Sequence, residues 1–333
     1  MTEPATSLRR FADPACFDVD ESDRELFEKR VGDFVPPDAF DAHAHWYDLR
    51  HILIDEDRGS PSTTDEVGYD VMQARMRQWM GSRVITRGLY FPFPVRHLDC
   101  AAANRFLAGQ LAAHPQSRGL MMIRPQDEPA EVEQALRSSR FSGFKVYHCF
   151  ADRAETFHAD QSEFLPEWAW ELADTHGLWI TMHMVLPRAL SEPANARYIR
   201  EHCLKYPDAR MVLAHAARGF NAAHTTDAID ELRGLDNVFF DTSAVCEPAA
   251  FEAIIRVTGT TRLMYGSDFP ISEVRGKAIS VGDGFMWLYR HNVHWEGWPH
   301  GRPTLIGIES LLALQQACRT MCLTDRDIER IFS

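Results

Sequence analysis

The sequence predicts an α/β fold, a (β/α)8 TIM barrel with an N-terminal arm and long loops after strands one and eight. Three observations lead there. Eight short apolar runs alternate with segments of helical spacing, recurring roughly every 30 residues. Polar residues fall at the carboxyl ends of those runs, where such barrels carry their chemistry. Neither GxGxxG nor GxxxxGK[ST] occurs, and a doubly wound sheet would leave several runs unused.

Taken in order, residues 1–37 are acidic, weakly patterned and end in Pro36-Pro37, so they form the arm and leave 38–333 to the barrel. The strands are expected over 40–45, 83–90, 118–124, 143–147, 178–183, 209–215, 237–241 and 262–266. Helical spacing fills 65–80, 97–114, 129–138, 163–176, 193–206, 226–232 and 248–257. Segments 46–64 and 271–303 are too long for ordinary loops and are read as walls or lids of a pocket. Trp46, Tyr47 and Phe285 are candidates for an apolar wall, 286–289 is read as a helix packed on the barrel, and Trp295 to Trp298 as a lid or subunit contact.

The chain has 333 residues, with 35 basic against 48 acidic ones and a net charge of −13. That balance excludes nucleic acid or an anionic membrane as a partner held by bulk charge. Seven scattered cysteines without a CxxC pair are no disulfide framework. No secretory apolar run and no 18-residue apolar stretch occurs, so a soluble cytoplasmic protein is expected. Its partner would be a small-molecule substrate, with a homodimer as the assembly left open.

The predicted strand ends carry Asp41-Ala-His43-Ala-His45 on the first strand, Lys145 on the fourth, His183 on the fifth, His215 on the sixth and Asp268 just past the eighth. Alternate residues of a strand share a face, so His43 and His45 can converge on one ion. With 15 histidines, about 0.7 His-x-His triplets are expected by chance, so the pair gains weight only from its companions in barrel order.

These segments, with Gly143-Phe-Lys-Val-Tyr147, Val212-Leu-Ala-His215 and Tyr265-Gly-Ser-Asp-Phe-Pro270, resemble the amidohydrolase superfamily, in its amidohydrolase-related branch of decarboxylases and lactone hydrolases. The resemblance implies His43, His45, His183 and Asp268 as metal ligands. It makes His215 a second-site ligand or proton-transfer group, and places Lys145 where some members carry a carboxylated lysine bridging two metals. The implied cofactor is Zn2+, one ion or two, with Mn2+ or Fe2+ as alternatives. Asp268 and His215 would manage protons while metal-activated water opens a lactone, ester or amide. A metal-dependent non-oxidative decarboxylase would use the same ligands; a non-catalytic binding barrel would have lost some of them.

The other polar residues divide by setting. Lys145, if buried, needs neutralisation, by carboxylation or by a partner such as Asp268. Asp41 is read as structural, and Asp241 as either orienting a ligand histidine or capping its turn. Arg124, Arg218 and Arg275 are candidate clamps for a substrate carboxylate or phosphate, and Tyr147 a candidate substrate contact. His148 and Cys149, next along, suit a pocket or a loop surface equally.

Overall fold

A computed structural model describes residues 19–54, 65–290, 292–298 and 301–333. Eight strands form the barrel: β1 (Asp41–Asp48), β2 (Gly88–Pro92), β3 (Arg118–Met122), β4 (Phe141–Val146), β5 (Trp179–Met182), β6 (Arg210–Leu213), β7 (Val238–Asp241) and β8 (Leu263–Met264). Each pairs in parallel with the next. The sheet closes where the chain leaving β8 meets β1. There Ala42 N donates to Tyr265 O and Asp268 N to His43 O, both at 2.7 Å, and His45 N to Phe269 O at 2.8 Å. Strands covered on both faces read as continuous apolar runs, and every residue of β1 is buried. The second expected run starts early because β1 and β2 come into register only at Asp41 and Gly88. A two-residue strand, Glu66–Val67, adds antiparallel to the far end of β1.

The helices are α1 (Glu21–Arg30), α2 (Tyr69–Met80), α3 (Cys100–Ala113), α4 (Pro129–Ser138), α5 (Glu167–His176), α6 (Pro193–Lys205), α7 (Ala222–Thr226), α8 (Pro248–Thr258), α9 (Ile306–Thr320) and α10 (Asp325–Ile331). Proline opens α4, α6 and α8, where its missing N–H costs nothing. Gly177, at φ 63°, ends α5 in the left-handed conformation. The helix expected over 226–232 is instead α7 followed by a 3-10 turn over Ile229–Leu232, since Asn221 caps the chain earlier by accepting from Ala223 N.

Within the predicted arm, α1 packs on α2 through Phe27, edge-to-face with Trp79 at 5.5 Å. At the other end, Phe332 O accepts from Phe40 N and Ile331 O from Tyr265 N, both at 2.7 Å, while the Phe332 and Tyr265 rings stack. Beyond β8 the chain makes a hairpin, β9 (Gly276–Val281) and β10 (Gly284–Tyr289). Segment 286–289 is therefore strand, not helix: Met286 is exposed, while Phe285 and Trp287 pack on Phe220. Trp46 is core, stacked on Tyr90 at 3.9 Å, and not a pocket wall. Of the wall expected over 46–64, residues 55–64 lie outside the described residues. Among the described residues no helix is long and apolar enough to cross a membrane.

Candidate active site

The period of β1 brings His43 and His45 together at the barrel mouth, ring centroids 5.3 Å apart. His43 Nδ1 donates to Asp241 Oδ2 at 2.8 Å, and His45 Nδ1 to the Pro92 carbonyl at 3.1 Å. Both acceptors fix the proton on Nδ1 and leave Nε2 bare. The two Nε2 atoms face a single oxygen, Asp268 Oδ1, at 3.3 and 3.4 Å. Asp268 is aimed there by a left-handed backbone, φ 59°, in the turn after β8. The ligand atoms of His43, His45 and Asp268 lie within 4.8 Å of one another, all buried.

Burial holds these imidazoles neutral: it pushes His43 well below its ordinary range and His45 down to about 3, the Lys145 charge assisting in both. Burial also lifts Asp268 to about 6 against the opposing pull of His215 and Lys145. Bare nitrogens aimed at a carboxylate oxygen repel it unless a proton or cation lies between them. His43 Nε2 is buried with no hydrogen-bond partner. The nitrogen and oxygen donors, each histidine held from behind, fit a divalent cation.

Asp241 does both things expected of it. While one oxygen holds His43, Oδ1 accepts from the backbone N–H of His215 at 2.8 Å and of Ser243 at 3.2 Å. His215 opens four consecutive residues at φ 57°, 52°, 59° and 61°, a left-handed turn costing about 1–2 kcal/mol per residue. Strain of this kind persists where the surroundings over-determine it. His215 Nδ1 donates to the Ser243 carbonyl at 3.0 Å, so its Nε2 is bare too. Its ring lies 4.9 Å from His43 and 5.1 Å from His183. Asp41 is structural: Oδ1 accepts from His43 N at 3.0 Å and Ser267 N at 2.9 Å, tying β1 to the Asp268 turn.

His183, Lys145 and Tyr147 border the three-residue cluster without entering it. The His183 ring lies 4.8 Å from Tyr147, and its Nδ1 is buried without a hydrogen bond. Lys145 is buried with its ammonium 4.8 Å from the Phe91 ring and 5.8 Å from the Tyr147 ring. Burial lowers it to about 8 although Asp241 and Asp268 pull the other way.

The three arginines part company. Arg218 is buried at the mouth, its guanidinium between Phe157 at 4.4 Å and Phe285 at 5.2 Å, with Nη1 donating to Leu186 O at 3.1 Å. Arg124 turns away and grips Asp127, three residues on, through Nε and Nη2. Arg275 reaches back to α1, with Nη1 on Asp23 at 2.9 Å and Nη2 on Asp20 at 3.1 Å. For Arg124 and Arg275 an acid of the chain itself thus supplies the carboxylate that a substrate was expected to bring. The residues not anticipated at the site are Ser243, Phe157 and Phe220; the Phe220 ring lies 5.3 Å from His215. The hairpin leans over this side, where Asn221 Nδ2 donates to Gly282 O at 3.1 Å and Gly284 O at 2.7 Å.

A closed barrel whose first strand and the turn after its last deliver neutral imidazoles and a carboxylate to one point at its mouth is the architecture of a barrel enzyme, with His43, His45 and Asp268 as a candidate metal-binding set. Within that class the chain belongs to the amidohydrolase family, whose model matches residues 40–280. It is similar to the L-fucono-1,5-lactonase of Burkholderia ambifaria, 26% identical over 269 residues, covering 74% of this chain and 84% of that protein. Among solved structures it is similar to an amidohydrolase from Burkholderia multivorans with bound HEPES, at TM-score 0.57 and 14% identity, over 89% of this chain and 96% of that one. A form of a Burkholderia multivorans amidohydrolase with bound zinc matches at TM-score 0.54 and 13% identity, with the same coverage. At those identities the structures establish the fold.

Proposed function

We propose that this chain is a zinc-dependent, cytoplasmic hydrolase that opens the lactone of a sugar acid. The observation that carries the reading is the convergence of His43 Nε2, His45 Nε2 and Asp268 Oδ1. The lactonase relative supports the substrate class. One ion would be held by His43, His45 and Asp268 with His183 as a further ligand, leaving Lys145 an ordinary ammonium; two ions would recruit Lys145 and His215. The donor set also accommodates Mn2+ or Fe2+.

A divalent cation held there supplies Lewis acidity and an acidified water. Asp268 takes a proton from the attacking water. It returns that proton to the ring oxygen as the carbonyl C–O bond breaks, leaving a hydroxy acid. His215, with Nδ1–H committed to Ser243, presents a bare Nε2 and can accept a proton but not donate one. Phe285 of the hairpin, packed on Phe220, covers this face with apolar rings.

The test is elemental analysis of protein purified without chelator or nickel, paired with an indicator assay on L-fucono-1,5-lactone. About one zinc per chain is expected, with turnover lost on chelation and restored by Zn2+. Metal content near zero, with no recovery on adding Zn2+ or Mn2+, would sink the reading, and release of CO2 from an aromatic acid without lactone opening would replace it with decarboxylation.

A further inference from the structure

We infer that His148 forms the far end of the substrate site and exchanges a hydrogen bond with a ring hydroxyl of a polyhydroxylated lactone. The inference rests on the lactone-hydrolase reading and names what distinguishes its substrate. His148 opens the 3-10 turn over His148–Phe150, just beyond β4 and so on the face where barrel chemistry collects. It is buried, and none of the steps above uses it.

Its position follows from a row of imidazoles across the mouth. The ring centroids run from His43 to His215 at 4.9 Å, to His183 at 5.1 Å and to His148 at 5.8 Å. The row starts at the cluster that would hold the reacting carbonyl and ends at His148. A ring whose carbonyl lies at Asp268 extends along this row and presents its distal edge to His148.

The side chain is held for that purpose. Nδ1 lies 3.0 Å from Thr156 Oγ1, and the ring stacks on Tyr147 at 4.7 Å with Phe157 edge-on at 5.8 Å. With Nδ1 engaged by Thr156, Nε2 is the ring nitrogen left to meet a ligand. An imidazole nitrogen whose ring is oriented by the Thr156 hydroxyl suits a second hydroxyl, which can donate or accept as the tautomer requires.

The experiment compares two lactones, one hydroxylated (L-fucono-1,5-lactone) and one bare (δ-valerolactone), in the zinc-loaded enzyme and its variants. For His148→Ala, KM for the hydroxylated lactone should rise about tenfold, while kcat/KM for the bare lactone changes by less than about twofold. Metal content should stay at the wild-type level. His148→Gln, which keeps an amide near Nε2, should recover part of the loss. Thr156→Val, which frees the ring without removing it, should shift KM the same way by less, and it carries the test if the alanine variant does not fold. Equal losses on both lactones, or loss of metal, would overturn the role assigned to His148 while leaving the hydrolase reading intact. A wild-type enzyme that opens neither lactone overturns that reading and this inference with it.

Discussion

Asp241 shows how much of this site rests on one side chain. One carboxylate orients a cluster histidine, caps the strained turn that carries His215 and fixes Ser243. Asp241→Asn should therefore weaken zinc binding about 10- to 100-fold, read by calorimetric titration of metal-free protein; unchanged affinity would show that His43 needs no support from behind. The mouth also sets a pH dependence. Five histidines, 43, 45, 148, 183 and 215, are driven below their ordinary 6.5, each chiefly by burial. Below pH 6.5 the unfolded chain binds protons there that the folded one refuses, so these groups lower stability as the pH drops. Asp41, Asp268 and Glu273, lifted by burial to about 7, 6 and 7, act in the opposite sense by holding protons only in the fold. The histidines outnumber the acids, so the net effect is a loss of stability as the pH drops from 6 to 5. Urea denaturation of metal-free protein should show it, and stability that stays flat or rises there would contradict it.

At the scale of elements, β4 and β5 approach so closely that a Cβ on Gly143, at φ 151°, would sit 1.9 Å from Trp179 O. Gly143→Ala should cost about 3 kcal/mol, visible as a lower denaturation midpoint and soluble yield; an unshifted midpoint would mean that the strands can separate there without penalty. The barrel was legible in the sequence because strands buried on both faces stand out as apolar runs, and His43, His45 and Asp268 because they sit where runs end. The hairpin was not, because its apolar run matches a packed helix as well, and only the alternation of Phe285 and Trp287 against exposed Met286 marks a strand. The arginines were legible as side chains but not as destinations. Asp127 lies near Arg124 in the chain, but Asp23 lies 252 positions from Arg275, and no local pattern links them. Ser243 was illegible for a related reason: its role exists only once the turn after β7 meets His43 of β1 and His215 beyond β6.

At the scale of the molecule, Arg275 joins two things that the sequence keeps far apart, α1 and the root of the hairpin. Arg275→Ala leaves Asp23 buried without its cation and should cost about 3–5 kcal/mol in stability, with zinc content unchanged. Lost lactone turnover at full stability would instead restore Arg275 as a substrate clamp. A second long-range junction has a consequence for how the protein is made. Ile331 and Phe332 bond to Tyr265 and Phe40, where the last and first strands meet. A nascent chain emerging amino end first carries His43 and His45 early, but the seam beside them is completed only by residues that follow Asp268 by some sixty positions. Metal capture should thus wait until Ile331 and Phe332 have emerged, and a chain truncated before them would carry every residue of the site without the seam that assembles it.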